Sequence, residues 1–345
     1  MSKRKSSTQP ARRGCCLGSL AGGLFRTALW AAGGWIAYSH WKIDHHLPLL
    51  KAIPAEQVRI PFAPGGTLNG YIDRQGSGRP LLLIHSVNAA ASAYEMRPLF
   101  QHYRGSRPVL ALDLPGFGFS TRPDVDYTPD LFAQAVLAGL QQFDGAPADL
   151  IALSLGSEFA AQAARQRPDL VHSLTLLSPS GLGQRPQGMP DDRQRTQRVY
   201  RLLRIRLWAR PLYDLLTTRR GINYYLKKSF TGPVDPGLAD YAYATAHQPG
   251  AEYAPLAFIS GKLFTPDAMR ALYSQVTTPT LVIYDQDAYV NFDLLPDLLR
   301  QNPAWRAERI APTRGLPHFE QLDATAQAID RFWKQLETEN QTGRE

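Results

Sequence analysis

Leu150-Ile151-Ala152-Leu153-Ser154-Leu155-Gly156-Ser157-Glu158-Phe159-Ala160-Ala161 joins two patterns across one serine. The apolar run 150–153 reads as a strand buried on both faces, the habit of a parallel sheet covered by helices. Beyond the serine, apolar residues recur at helical spacing as far as Gln166. A serine between such a strand and such a helix sits on a turn that exposes its hydroxyl at the carboxyl edge of the sheet. So sharp a turn admits only small residues two before and two after the serine. Gly156 and Ala152 meet that demand, Ala152 standing where glycine is usual. The helix N-terminus beneath Ser154 would help stabilise negative charge developing there. A serine that merely caps a helix gives the same local pattern, so the rest of the chain has to decide.

Outward from this turn the alternation continues. Residues 81–84, 109–112, 174–177 and 280–284 are further apolar runs, and a last strand is expected over 306–310. Helical spacing covers 92–103, 128–143, 154–166 and 324–336, with Thr128-Pro129 as the N-cap and first-turn pair of the second. Residues 58–62 and 68–73 flank Pro64-Gly65-Gly66 and read as an opening antiparallel pair. The pattern predicts an α/β fold, a mostly parallel central sheet flanked by helices. It breaks over 182–276, a stretch rich in arginine, tyrosine and leucine with helical periodicity, expected as a helical cap inserted after the sixth strand. The chain then divides into a tail (1–53), the first part of the core (54–181), the cap (182–276) and the second part of the core (277–338).

The partners of an activated serine follow in the order Ser, Asp, His, each just after an expected strand. Asp287 lies in Asp285-Gln286-Asp287-Ala288-Tyr289-Val290, and His318 in Leu316-Pro317-His318-Phe319-Glu320. A histidine there takes the serine proton, while a carboxylate fixes its tautomer and stabilises the imidazolium. On the residues alone, Asp285 is an alternative acid and His318 an ordinary loop histidine is an alternative reading.

Taken together, 81–85 with its loop, Leu112-Asp113-Leu114-Pro115-Gly116-Phe117-Gly118-Phe119-Ser120, the turn at Ser154, the Asp287 turn and Pro317-His318-Phe319 resemble the α/β-hydrolase superfamily, specifically its capped single-domain enzymes, over 58–336. The resemblance implies a catalytic triad of Ser154, Asp287 and His318. It favours Asp287 over Asp285 because the family's acid lies three residues past the strand end with a valine three further on, here Val290; Tyr284 replaces the usual glycine. It implies oxyanion donors at the N–H groups of Val87 and Leu155. The family's His-Gly is His85-Ser86 in this chain, followed by Asn88, so Ser86 and Asn88 either add side-chain donors or satisfy the loop's own backbone. A serine nucleophile argues against the dehalogenase and epoxide hydrolase branches, whose nucleophile is a carboxylate. The expected reaction is acyl transfer to water from a carboxylic ester with a hydrophobic part. Acyltransferase, carbon–carbon bond hydrolase and cofactor-free perhydrolase use the same triad, and a non-catalytic membrane-tethered binding protein is the reading from another class. Tyr200, Trp208, Tyr213, Tyr224, Tyr225 and Phe230 are candidates to roof an apolar pocket, or else core of the cap.

At 345 residues, 44% hydrophobic and 20% charged, the chain has enough apolar material for a full core. Its net charge of +8 sits in the tail and over 193–228, a layout that suits a membrane surface or acidic ligands as well as nucleic acid. No nucleic-acid partner is expected. Cys15 and Cys16 are the only cysteines, so neither a disulfide framework nor a zinc site is available. No metal or organic cofactor is expected, since the Gly116/Gly118 turn lacks the lysine and spacing of a phosphate loop.

Lys3, Arg4, Lys5, Arg12 and Arg13 precede a weakly apolar stretch at 15–38, the charge order of a membrane anchor or export signal. Arg26 interrupts it, and the uninterrupted part, 27–39, is shorter than the ~20 residues of a span. The expectation is membrane association with the catalytic domain on the non-cytoplasmic side; a cytoplasmic protein with a basic amphipathic tail is the alternative. Over 194–216 the interleaving of Arg195, Arg198, Arg201, Arg204 and Arg210 with Val199, Leu202, Leu203, Ile205 and Trp208 predicts one basic amphipathic helix ending near Pro211. It faces either anionic lipid or solvent.

Overall fold

The computed structural model describes residues 17–63, 66–184 and 193–342. The basic residues 3–13, both cysteines and the Pro64-Gly65 part of the expected hairpin turn lie outside them. The chain forms two units, 1–43 and 44–345. The first contains α1 (Leu17–Lys42). Among the described residues no helix is long and apolar enough to cross a membrane, which corrects the spanning reading of the anchor. The physical reason is composition: five glycines and Arg26 dilute this helix.

The second unit runs β1 (Glu56–Phe62), β2 (Gly66–Asp73), β3 (Leu81–Ile84), α2 (Arg97–Tyr103), β4 (Val109–Asp113), α3 (Pro129–Leu140), β5 (Ala148–Leu153), α4 (Gly156–Gln166) and β6 (Val171–Leu177). Six helices follow among the described residues: α5 (Arg193–Leu203), α6 (Ala209–Leu216), α7 (Arg219–Lys228), α8 (Pro236–Ala246), α9 (Tyr253–Ile259) and α10 (Ala268–Ala271). β7 (Thr280–Gln286), α11 (Leu295–Gln301), β8 (Trp305–Arg314), α12 (Pro317–Glu320) and α13 (Leu322–Thr342) complete the unit. The strands form one eight-stranded sheet in the order β1-β2-β4-β3-β5-β6-β7-β8. β2 pairs antiparallel with β1 and β4, and the remaining pairings are parallel.

The apolar runs explain the layers. Successive side chains of a strand point to opposite faces. Leu82, Ile84, Leu110, Leu112, Leu150 and Ala152 belong to one buried cluster with Phe132 and Val136 of α3 and Phe159 and Ala160 of α4. Leu81, Leu83, Val109, Ala111, Ile151 and Leu153 belong to another with Leu99 and Phe100 of α2 and Ile329 and Phe332 of α13. Strand order reverses beside β3: the chain leaves it toward β4, then crosses back to β5. Such a reversal opens a crevice at the carboxyl ends of the two strands, where ligands of open α/β sheets bind.

The single helix expected to end near Pro211 is two: α5 stops at Leu203 and α6 begins at Ala209. Pro211 would set its ring against the carbonyl of residue 207 in a continuous helix; it falls instead in the first turn of α6, where no intrahelical N–H is needed. In the insertion, buried Arg210 pairs with Asp214 (2.9 Å) and Glu252 (3.1 Å) and donates to the Ala246 and Gln248 carbonyls. Tyr213 Oη donates to Ala89 O (2.7 Å), fastening α6 to the loop after β3.

Phe159 is fully buried and stacks on Phe132 with ring centroids 4.7 Å apart. Its replacement by alanine is expected to cost about 3–5 kcal/mol of unfolding free energy, read from urea denaturation. A loss below about 1 kcal/mol would refute this account of how α4 is held to the sheet.

Candidate active site

Ser154 follows β5 with φ 51°, a left-handed conformation costly for a residue with a side chain. Its N–H donates to Leu177 O (2.9 Å) and its carbonyl accepts from Ser157 N–H (3.0 Å), which pins the strained residue on both sides. An ideal Cβ on Gly156 would stand 2.4 Å from the main-chain oxygen of His85, so only glycine lets α4 start so close to the end of β3. Ala152 is buried and its carbonyl accepts from Ser157 Oγ (3.2 Å); the alanine fits.

The loop after β3 folds back on itself. Buried His85 shares a hydrogen bond with Ser86 O through Nδ1 and accepts from Leu114 N–H at Nε2 (2.9 Å). These partners require the neutral ring protonated on Nδ1. Ser86 N–H donates to Glu95 Oε2 (2.8 Å). Asn88 Nδ2 donates to Glu95 Oε1 and to Ser86 Oγ, both 2.9 Å, while its Oδ1 accepts from Ala90 N–H (2.8 Å). Asn88 and Ser86 therefore satisfy the loop itself. Among the described residues the N–H groups of Val87 and Leu155 make no turn, loop or cap hydrogen bond. Burial pushes the Glu95 carboxyl up, opposed by its bonds from Ser86 and Asn88. Sequence reading missed Glu95, because a glutamate within a stretch of helical spacing reads as a solvent-facing residue.

Asp287 follows β7 and His318 follows β8, so with Ser154 they share the carboxyl edge of a parallel sheet. Asp285 has both oxygens engaged, by Arg309 Nε (2.7 Å) and Thr313 N–H (2.9 Å). Burial pushes its carboxyl up, but those bonds outweigh burial and hold it below its ordinary value. Asp287 accepts from Tyr289 N–H (2.7 Å) and Val290 N–H (3.3 Å) through Oδ1. Its Oδ2 fills the space a Cβ on Gly315 would need, at 2.7 Å. Burial raises its pKa.

His318 is fully buried. Its Nε2 lies 2.6 Å from Glu95 O, and its Nδ1 is buried with no hydrogen-bond partner among the described residues. A carbonyl only accepts, so Nε2 carries the proton here. Among the described residues neither Ser154 Oγ nor the carboxylates of Asp285 and Asp287 are hydrogen-bonded to His318. The three residues are gathered on one edge, and this arrangement is not a hydrogen-bonded relay.

Of the expected roofing aromatics, Tyr200, Tyr213 and Phe230 are buried, Trp208 is half-buried, and Tyr224 and Tyr225 are exposed, which removes those two from a roof. A cleft of about 950 Å³ beside this edge is lined by Glu158, Ser180, Phe264, Thr265, Met269 and Asn291 among others, but by neither Ser154 nor His318. Among the described residues no group of side chains is arranged to hold a metal ion.

Burial lowers both His85 and His318 from 6.5 to about 4, against the opposing bonds to Ser86 O and Glu95 O. Unfolded, each takes up its proton near pH 6.5. Between those values the unfolded chain binds more protons, so this contribution to stability is lost as pH falls through the window. The raised carboxyls of Glu95 and Asp113 act in the opposite sense, so a variant has to isolate the histidine. The drop in unfolding free energy from pH 7 to pH 5 is expected to be about 2 kcal/mol smaller in His85→Gln than in the parent chain. Equal drops would contradict a neutral buried ring.

Residues 81–328 match the alpha/beta hydrolase family. The 2-hydroxy-6-oxo-6-(2'-aminophenyl)hexa-2,4-dienoic acid hydrolase of Metapseudomonas resinovorans is 26% identical over 257 residues, covering 68% of this chain and 78% of that protein. The 2-hydroxymuconate semialdehyde hydrolase of Pseudomonas sp. (strain CF600) is 32% identical over 109 residues, covering 31% of this chain and 38% of that protein. Among solved structures, a serine hydrolase involved in carbazole degradation superposes with a TM-score of 0.64 at 19% identity, over 81% of this chain and 98% of that one. The chain belongs to the alpha/beta hydrolase family.

Proposed function

We propose that this hydrolase-family chain is a serine hydrolase working through an acyl-enzyme on Ser154. The observation that carries the reading is the strained Ser154 turn, with a left-handed residue between β5 and α4 and a glycine two residues on pressed against His85 O. Such strain persists where the surrounding structure enforces it and function uses it. Ser154 Oγ attacks the substrate carbonyl while His318 Nε2 takes its proton. The N–H groups of Val87 and Leu155 hold the developing oxyanion, and the alcohol departs with the proton from His318. Water then releases the acid by the same steps. The base must first leave Glu95 O and present a bare Nε2; Asp287 Oδ2 is the acceptor for the proton then required on Nδ1. Apolar surroundings at Val87, Leu155 and Phe117 favour an ester with a hydrophobic part. Similarity to the dienoic acid hydrolase favours, as second reading, hydrolysis of a carbon–carbon bond next to a carbonyl by the same residues.

The partner reading is an anionic lipid surface. Between residues 193 and 228 the chain has eleven arginines and lysines against one acidic residue, Asp214, which is buried. Tyr200 anchors α5 inward, leaving Arg198, Val199, Arg201 and Leu202 exposed, and Ile205, Arg206 and Leu207 continue the face. Leu202 and Leu207 are 56% and 58% exposed. Basic and apolar side chains on one face match a bilayer that is negative outside and apolar within.

Ser154→Ala and His318→Ala are expected to lower kcat on p-nitrophenyl esters by about 10³-fold or more with the fold intact, and Ser154→Ala to abolish fluorophosphonate labelling. Residual activity within tenfold of the parent would sink the triad. Asp287→Asn should lose more activity than Asp285→Asn; the reverse order would move the acid to Asp285. For the lipid surface, full-length chain should sediment with phosphatidylglycerol-containing vesicles and not with pure phosphatidylcholine. Arg198→Glu with Arg201→Glu should cut the bound fraction at least fivefold, and binding indifferent to either change would remove the surface.

A further inference from the structure

The family's glycine after the first loop histidine is Ser86 here, and a glutamate ten residues after that histidine is folded underneath it. Glu95 is 6% exposed, with its carboxylate turned into the loop rather than to solvent. Oε2 takes the Ser86 N–H, Oε1 takes Asn88 Nδ2, and Asn88 in turn ties Ser86 Oγ and Ala90 N–H. These bonds flank Val87 on both sides. They engage the Ser86 N–H and the Asn88 side-chain amide and leave the Val87 N–H outside the network. The main-chain oxygen of the same Glu95 receives His318 Nε2 (2.6 Å).

We infer that Glu95 is a positioning residue for catalysis: its carboxylate, through Ser86 and Asn88, aims the Val87 N–H at the oxyanion, and its carbonyl is the resting seat of His318. In physical terms, a main-chain N–H and a side-chain amide bonded to one buried carboxylate fix the loop. Small errors in an oxyanion donor's position cost rate rather than affinity, since the donor is needed most once charge has developed. This inference rests on the serine-hydrolase reading above.

The polarity of the Glu95–Asn88 contact supplies the test. In Glu95→Gln, the new amide nitrogen faces Asn88 Nδ2, donor against donor. Turning the Asn88 amide over relieves that clash only by setting its nitrogen against Ala90 N–H. In Asn88→Asp, two carboxylates face each other. Combined, the exchange removes both clashes: the amide introduced at position 95 accepts from Ser86 N–H and donates to the carboxylate introduced at position 88, which keeps the Ala90 N–H and now accepts from the Ser86 hydroxyl, reversing the parent bond. Each single variant is expected to lower kcat on a p-nitrophenyl ester, and the rate of fluorophosphonate labelling, by about 30- to 300-fold with KM within threefold. Deuterium uptake over 85–91 should rise in the same two proteins. The double variant should recover to within about fivefold in rate and to parental uptake. Singles that hydrolyse like the parent, or a folded double no better than the worse single, overturn the role of Glu95. A parent that neither hydrolyses esters nor takes the probe overturns the serine-hydrolase reading, and the catalytic role of Glu95 with it. Uptake that is unchanged in the singles overturns the loop-holding part independently of any activity.

Discussion

At the carboxyl ends of β3 and β5 two backbones approach until no side chain fits between them, the space beside Gly156 being filled by His85 O. That contact lies where strand order reverses, so it brings together the start of α4, the turn at Ser154 and the loop after β3. Sheet register alone would not do this. β3 pairs with β5 from Leu81 opposite Asp149 to Ile84 opposite Ala152, and the strands then separate; the glycine lets the helix re-enter the gap. Ser154 is left-handed because the chain must turn from strand to helix within that distance. Phe159, stacked on Phe132 one helical turn further on, keeps the helix from relaxing away.

The two buried histidines of this edge show what the site has satisfied and what it has left open. His85 has a partner on each ring nitrogen, so neutrality costs it nothing and the ring serves as a rivet between the loops after β3 and β4. His318 has one partner and one orphan nitrogen. A buried nitrogen without a partner is destabilising by about 1–3 kcal/mol, a cost that a move toward a carboxylate would remove. Asp287 has one oxygen held by main-chain N–H groups and the other against Gly315. The imidazolium formed in general-base catalysis is strongly disfavoured in the seat on Glu95, where burial already lowers the pKa to about 4. Beside an ionised carboxylate it is not. The proposed mechanism therefore calls on the pairing with Asp287 for the charge as much as for the tautomer.

The legible parts of the sequence were those whose signal is local. Continuous apolar runs gave the strands because both faces of the sheet are covered, and the serine turn announced itself through small residues at fixed offsets. The parts that were not legible depend on distant partners. Glu95 lies in a stretch of helical spacing and nothing nearby says that its carboxylate turns inward to Ser86. Asp285 and Asp287 look alike in sequence; they differ because Arg309 and Thr313, on another strand, engage the first. The single helix expected to end near Pro211 stops instead at Leu203, and Pro211 lies in the first turn of the next helix, where a proline can open a helix but not sit inside one. Tyr224 and Tyr225 follow the same apolar rhythm as buried Ile222 but point to solvent, because α7 is covered on one side only.

The relatives act on different substrates, and the geometry explains how one core serves them. On the proposed serine-hydrolase reading, a carbonyl carbon placed beside Ser154 requires the same proton acceptor and the same two N–H groups whether the bond that breaks runs to oxygen or to carbon. On the same reading, what differs is the leaving group, which His318 protonates and the helices after β6 accommodate. Those helices are anchored at the loop after β3 by Tyr213 on Ala89 O, one residue beyond Asn88, whose amide Glu95 holds. The insertion and the proposed oxyanion loop therefore meet within a few residues. In the proposed mechanism a change in α6 that shifted Ala89 acts on rate through Val87 as well as on binding, so that mechanism does not let specificity and turnover be separated by altering the insertion alone.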